Sequence, residues 1–244
     1  MTWVKICGIT NLEDAQTAVD AGADALGFVF HKKSPRAVDQ ETARAVVSGL
    51  PSQMEKVGVF FQESAEEIFA LASNTGMTAI QFSADSASLG EKDCAYRFEQ
   101  LTTGAPGMKL IPSFSMQGKR PEGLAMMWNP EHVHAFLLDS GFGGRPGGTG
   151  RAFDWAANEA ATRVIRSLGN IIVAGGLTPA NVSEAMRILK PWGVDVSSGV
   201  EARAGKKDPD KVRAFIAAVR KADGQSSQTA DSSTPSLLGV TEQH

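Results

Sequence analysis

No cysteine pair in this chain has the spacing of a metal site or of a disulfide framework: Cys7 and Cys94 are the only two, far apart in sequence. The charge of neither sign dominates, with 24 Lys and Arg against 27 Asp and Glu and a formal net charge of −3. A dedicated nucleic-acid binder usually carries a basic excess gathered on one face, so that class is set aside. No apolar run approaches the roughly 20 residues that a membrane span needs. The N-terminal MTWVKICGIT places Lys5 inside its short apolar stretch and has no signal-peptide layout. These absences lead us to expect a reduced, cytoplasmic protein that is not secreted, membrane-bound or disulfide-stapled.

What is present is ordinary for a globular chain: 42% hydrophobic and 21% charged residues over 244 positions. A chain of this size buries about 70% of its unfolded surface, enough for one large core. Short apolar runs recur at Val4–Ile9, Ala25–Phe30, Lys56–Phe61, Thr78–Phe82, Met108–Phe114, Ala135–Asp139, Asn170–Ala174 and Gly193–Ser197. Segments with helical spacing separate them; in the first, Leu12, Ala15, Val19 and Ala23 repeat at steps of three and four. Thr10 with Glu13 suggests a capping box, and Thr178–Pro179 and Asp208–Pro209 each suggest a cap followed by Pro at the first helical position.

Alternating strand and helix implies parallel strands with helical crossovers. Eight such units close into a single (β/α)8 TIM barrel of about 250 residues. A doubly wound open sheet competes, but even spacing and the lack of a second-domain segment favour the barrel. We expect residues 1–223 to form it. Gly224–His244 is 21 residues, of which 5 Ser, 3 Thr and 3 Gln make up about half, and it is expected to be a disordered tail.

Active sites of such barrels lie at the C-terminal ends of the strands. That criterion selects Cys7 at the end of strand one, Asp139 at the end of strand six and Asp195 within strand eight. Side-chain alternation puts Lys5 and Cys7 on the interior face, with Val4 and Ile6 against the helices, and Asp139 on the face of Leu137. Cys7 could equally be a small buried apolar residue. Asp139 needs a salt bridge, a cap or a function, because a carboxylate in a buried strand is costly. Gly175 and Gly176 after strand seven, with Ser198 and Gly199 after strand eight, read as phosphate-binding backbone, the alternative being tight turns. Gly141–Arg151, with six glycines in 11 residues, reads as a lid or a plain flexible loop. The basic loop His31–Arg36 could bind a carboxylate or be merely solvated. His132 and His134 form an HxH with no third ligand, so no metal is expected.

Taken together and in order, these pieces resemble the phosphoribosylanthranilate isomerases of tryptophan biosynthesis. The matching segments are VKICGIT (4–10), GFVFHKKSPRAV (27–38), VGVF (57–60), FLLDS (136–140), GGTGRAFDW (147–155), AGGLTPANV (174–182) and GVDVSSGVEARAGKKD (193–208). The resemblance implies a cofactor-free and metal-free Amadori rearrangement of N-(5-phosphoribosyl)anthranilate, a small phosphosugar, to the aminoketose. It implies Cys7 as general base, Asp139 as general acid, and Arg36 as holder of the anthranilate carboxylate. Asp195 would lie near the sugar, and Gly175, Gly176, Ser198 and Gly199 would bind phosphate. Association with other enzymes of the pathway is a further expectation. A free thiol has a pKa of about 8.5, so Lys5 is the expected aid to a thiolate at Cys7. One departure stands out: Gln81-Phe82-Ser83-Ala84 occupies the place of a QLHG-like segment, putting Ser83 where His is usual. The related histidine-pathway isomerases use two carboxylates, with an Asp early in the first strand, where this chain has Cys7. A non-catalytic barrel would be expected to lack Cys7 or Asp139, and both are present.

Overall fold

The computed structural model describes residues 1–84, 91–104, 107–116, 121–126, 128–141 and 152–231. Its strands are β1 (Trp3–Cys7), β2 (Ala25–Val29), β3 (Glu55–Phe60), β4 (Ala79–Ser83), β5 (Lys109–Ser115), β6 (Phe136–Asp139), β7 (Ile171–Val173) and β8 (Gly193–Val196). Each falls on one of the apolar runs read from the sequence. They pair in parallel in chain order, and β8 closes on β1 with Lys5 opposite Asp195. The (β/α)8 barrel is therefore as expected, and the open sheet is excluded.

Helices α1 (Leu12–Asp20), α2 (Gln40–Ser48), α3 (Ala65–Thr75), α4 (Glu91–Gly104), α5 (Pro121–Ala125), α6 (Glu159–Leu168), α7 (Val182–Leu189) and α8 (Pro209–Asp231) cover the outside. Local chemistry sets their ends. Before α3, Ser64 and Glu67 form a reciprocal capping box, and Gly76 at φ +72° ends the helix in the left-handed conformation. Two expected starts are corrected. The cap of α1 is Asn11, which accepts from Asp14 N, whereas the Thr10 hydroxyl donates to Gly205 O at 2.6 Å. Thr178–Pro179 lies in a turn, and α7 begins at Val182 because Asn181 Oδ1 accepts from Thr178 N at 2.7 Å and shapes that turn. Asp208 does cap α8, accepting from Asp210 N at 3.0 Å. This helix runs to Asp231, since extending an anchored helix adds a hydrogen bond for each residue fixed. Residues 232–244 lie outside the described residues.

Two apolar layers follow from period-two alternation. Val4, Ile6, Phe28, Phe82, Leu138 and Val194 face the helices. Ala25, Val57, Ala79, Ile111, Leu137, Ile172 and Ala174 fill the barrel interior. Lys5 also lies there with no solvent exposure. Its Nζ reaches Asp195 Oδ2 at 2.9 Å and donates to Gln81 Oε1 at 2.6 Å, linking β1, β8 and β4. Small neighbours make room for the long stem: a Cβ on Gly27 would sit 3.0 Å from Lys5 Cε and 2.8 Å from Cys7 Sγ.

This pair sets a stability test. Lys5→Met strands the Asp195 carboxylate and the Gln81 carbonyl, so Tm should fall by about 10 °C or more, the effect of removing one partner of a buried ion pair. Lys5→Met with Asp195→Leu should recover at least half of that loss. A single variant as stable as wild type in thermal denaturation would show that the pair is not needed.

Candidate active site

Strand β1 ends at Cys7, whose residue is only 7% exposed. The sequence suggested that Lys5 would favour its thiolate. Lys5 does pull in that direction, as do Lys207 and Arg36, but burial outweighs them and Asp195 adds to it. The thiol is therefore held above its ordinary value. Burial also presses on Lys5, yet Asp195 and Cys7 keep its ammonium above the usual lysine value.

Strand β6 delivers Asp139 on the inner face, two residues after Leu137. Burial pushes its carboxyl up, and the nearby Asp195 carboxylate pushes in the same direction. Gly141 N at 3.0 Å and Ser140 Oγ at 3.3 Å donate to Oδ1, and with Lys5 they act the other way without prevailing. A carboxylic acid biased toward its neutral form is the result. Asp139 and Asp195 line one cleft with Gly175, Gly176 and Ser198. Asp195 Oδ1 is buried there and has no hydrogen-bond partner among the described residues, nor does Ser197 Oγ.

Of the basic loop after β2, Lys32 and Lys33 are exposed and His31 pairs with Glu63 at 3.3 Å. Arg36 alone turns inward. Its stem lies on Gly8, where φ is +77° and a Cβ would come within 2.6 Å of Arg36 Cδ. A two-pronged bond ties it to Glu201, Nε to Oε1 and Nη2 to Oε2, each at 2.8 Å. Glu201 begins β9 (Glu201–Arg203), which pairs with β10 (Lys206–Lys207) as a short hairpin between β8 and α8. Lys207, 1% exposed, donates to Glu201 Oε1 at 3.2 Å and to Ser197 O at 3.3 Å. Arg36 and Lys207 hold the Glu201 carboxyl below the usual range despite its burial.

The glycine loops have a packing reason that unites both readings of them. Gly175 and Gly176 take φ of +78° and +67°. A Cβ on Gly175 would lie 2.3 Å from Ser140 N, and one on Gly199 would lie 1.9 Å from Leu177 O. Loops after β6, β7 and β8 therefore stack backbone on backbone, which only glycine allows. Asn181 Nδ2 fastens the middle loop by donating to Gly176 O at 3.0 Å. The short 3-10 turn Ser198–Val200 points its N-terminal end toward the same cleft. Glycine backbone and a turn lining one cleft suit an anion.

The structure thus brings Cys7, Asp139, Asp195, Arg36 and the four loop residues to one end of the barrel. Glu201, Lys207, Gln81 and Asn181 were missed by sequence reasoning. Ser83 is buried on the inner face of β4, two positions beyond Gln81. His134 stands edge-on to Trp192 at 5.4 Å, and no group of three or more metal-binding side chains occurs among the described residues. Beyond Gly141, the proposed lid lies outside the described residues. No helix among them is long and apolar enough to cross a membrane.

Comparison with known proteins adds the chemistry. The model of the family "N-(5'phosphoribosyl)anthranilate (PRA) isomerase" matches residues 4–218. An N-(5'-phosphoribosyl)anthranilate isomerase of Geobacter sp. (strain M21) is 42% identical over 222 residues, covering 91% of this chain and 99% of that one. The crystal structure of phosphoribosyl anthranilate isomerase from Thermotoga maritima superposes with a TM-score of 0.76 at 37% identity, over 91% of this chain and 100% of that one. Another such enzyme, crystallised with reduced 1-(o-carboxyphenylamino)-1-deoxyribulose 5-phosphate, has a TM-score of 0.73 at 36% identity, over 91% and 100% of the two chains.

The raised pKa of Asp139 has a consequence for stability. A carboxyl that binds its proton more tightly when folded contributes most below its unfolded pKa of about 3.9, and loses that contribution as pH rises through the higher folded value. Asp139→Asn keeps an oxygen for Gly141 N and removes the titration. Its Tm should exceed that of wild type at pH 7, and the gap should close toward pH 4. A gap that grows on acidification would reverse the assigned direction.

Proposed function

The chain belongs to the phosphoribosylanthranilate isomerase family and catalyses the isomerisation of N-(5-phosphoribosyl)anthranilate in tryptophan biosynthesis; from this we propose that Asp139 is its general acid and Cys7 its general base. The single observation that supports these roles is their placement: two protonatable groups on the inner faces of β6 and β1 at one end of the barrel, Asp139 in a cleft with Asp195 and the glycine loops, and Cys7 next to Gly8, on which the Arg36 stem lies.

In this reading the phosphate sits against Gly175, Gly176, Ser198 and Gly199, and the anthranilate carboxylate against Arg36. Those two clamps fix the sugar between acid and base. Asp139, biased toward its neutral form by burial, gives a proton to the furanose ring oxygen as the C1–O bond breaks and nitrogen supplies electrons to form the iminium. Asp195, whose Oδ1 has no partner among the described residues, accepts from a sugar hydroxyl. The iminium acidifies C2–H. Cys7, as thiolate, removes that proton, and the enolamine ketonises to the aminoketose.

The thiol is held up by burial, so the base works from a minority thiolate favoured by Lys5, Lys207 and Arg36. The cationic iminium shifts that balance further at the step that needs it. The same proposal takes residues 1–223 as the catalytic unit and places the protein in the cytoplasm. That location fits a free Cys7 and the lack of a membrane-crossing helix among the described residues. Association with other enzymes of the tryptophan pathway rests on the pathway itself.

The test follows the fluorescence loss of freshly generated phosphoribosylanthranilate. Cys7→Ser and Asp139→Asn should each lower kcat/KM by at least about 10²-fold while remaining folded. Undiminished turnover by Cys7→Ser sinks Cys7 as the base, and undiminished turnover by Asp139→Asn sinks the acid.

A further inference from the structure

Arg36 is borne on a loop, and a loop-borne guanidinium with a long stem has many rotamers unless something holds it. Glu201 is that something. Of the five N–H donors of a guanidinium, Nε–H and one Nη2–H are spent on the two Glu201 oxygens. Of the three that remain, one on Nη1 and one on Nη2 lie along the end-on edge of the fork, and the other Nη1–H points to the Cδ side. A carboxylate bound there meets two parallel donors, the geometry that gives arginine its selectivity over lysine.

Glu201 is itself fixed. Besides Arg36, Oε1 accepts from Lys207 Nζ at 3.2 Å and from Gly205 N at 3.2 Å. The hairpin that carries it is pinned to α1: Lys207 N donates to Asp14 Oδ2 and Lys206 Nζ to Asp14 Oδ1, both at 2.7 Å. Thr10, just before α1, adds a bond to Gly205 O. The side chains of Arg36 and Glu201 are 12% and 5% exposed, so the fork is shielded from competing water. Two cations sharing one carboxylate also leave a surplus positive charge at this end of the site.

We propose that Glu201 is a positioning residue for substrate recognition: by holding Arg36 in a two-pronged bond, it presents the free guanidinium edge that selects for a carboxylate on the aromatic ring of the substrate. This rests on Arg36 being the carboxylate holder, and the experiment separates the two ideas. Dissociation constants are measured by calorimetry for reduced 1-(o-carboxyphenylamino)-1-deoxyribulose 5-phosphate and for its analogue with a bare phenyl ring. The readout is the ratio of the two constants, which a general loss of fold or of phosphate affinity leaves unchanged.

Wild type should favour the carboxylated ligand by about 10- to 100-fold, as a charge-assisted pair warrants. Arg36→Ala should reduce that preference to within about 3-fold. Glu201→Gln should bring it down nearly as far, and Arg36→Ala/Glu201→Gln no further than Arg36→Ala alone, because one residue acts through the other. Glu201→Asp keeps the charge beside Lys207 but withdraws the fork; it should also lower the ratio, and it carries the test if the Gln variant does not fold. A wild-type ratio in Glu201→Gln or Glu201→Asp, with the ratio lost in Arg36→Ala, overturns the role of Glu201 and leaves Arg36 intact. A wild-type ratio in Arg36→Ala overturns both.

Discussion

An ammonium in the middle of a barrel is the constraint around which this site is arranged. Lys5 has no exposure, and moving such an ion out of water costs several kcal/mol unless it is fully paired. Its partners must therefore come from other strands: Asp195 on β8 and Gln81 on β4. That requirement fixes the closing register, in which Lys5 stands opposite Asp195. It also fixes side-chain size nearby, since Gly27 and Ala25 leave the space through which the stem crosses. A structural pair has thereby become an electrostatic one, because Asp195 also faces the cleft beside Asp139.

Around the two proposed reacting groups the fixed charges nearly balance. Lys5, Lys207 and Arg36 stand against Asp195 and Glu201. With Asp139 neutral and Cys7 a thiol, the surplus is a single positive charge, spread over groups that are themselves buried. Burial then decides both protonation states: it lifts the carboxyl toward a form that can donate and lifts the thiol away from a form that can accept. If Asp139 and Cys7 are the acid and base proposed, burial favours the protonated form of both, which suits the first role and opposes the second.

Much of this was legible in the sequence because strands announce themselves locally. Eight apolar runs predicted eight strands, and period two placed Lys5, Cys7 and Asp139 inward. Capping was less secure. Thr10 and Thr178 carry the right oxygen, but the Thr10 hydroxyl goes to Gly205 O and the Thr178 backbone N–H donates to Asn181 in a turn, and Asn11 and Asn181 take the positions beside the helices. The pull of Lys5 on the Cys7 thiol has the expected direction, but its outcome was not legible: a charged neighbour is visible in VKIC, while the enclosure that outweighs it is a property of the closed barrel. Glu201 and Lys207 were invisible because their importance depends on Arg36 and Ser197 folding back onto them. Glu201 and Arg36 are 165 residues apart.

This division between strand-borne and loop-borne groups explains how precision is distributed in the site. Cys7, Asp139 and Asp195 belong to strands whose backbones are fixed by pairing on both sides. They need no further scaffold. The anion loops obtain the same rigidity from close backbone stacking, Gly199 against Leu177 and Gly175 against Ser140. Arg36 has neither device. Its position comes from a carboxylate on a hairpin that is in turn bonded to Asp14 in the first turn of α1, three positions after the Asn11 cap that follows strand β1. The chain of bonds returns to the strand that carries Cys7, so the proposed base and the proposed carboxylate clamp share one foundation. A substrate held by that clamp is then referenced directly to the thiol that must reach its C2 proton.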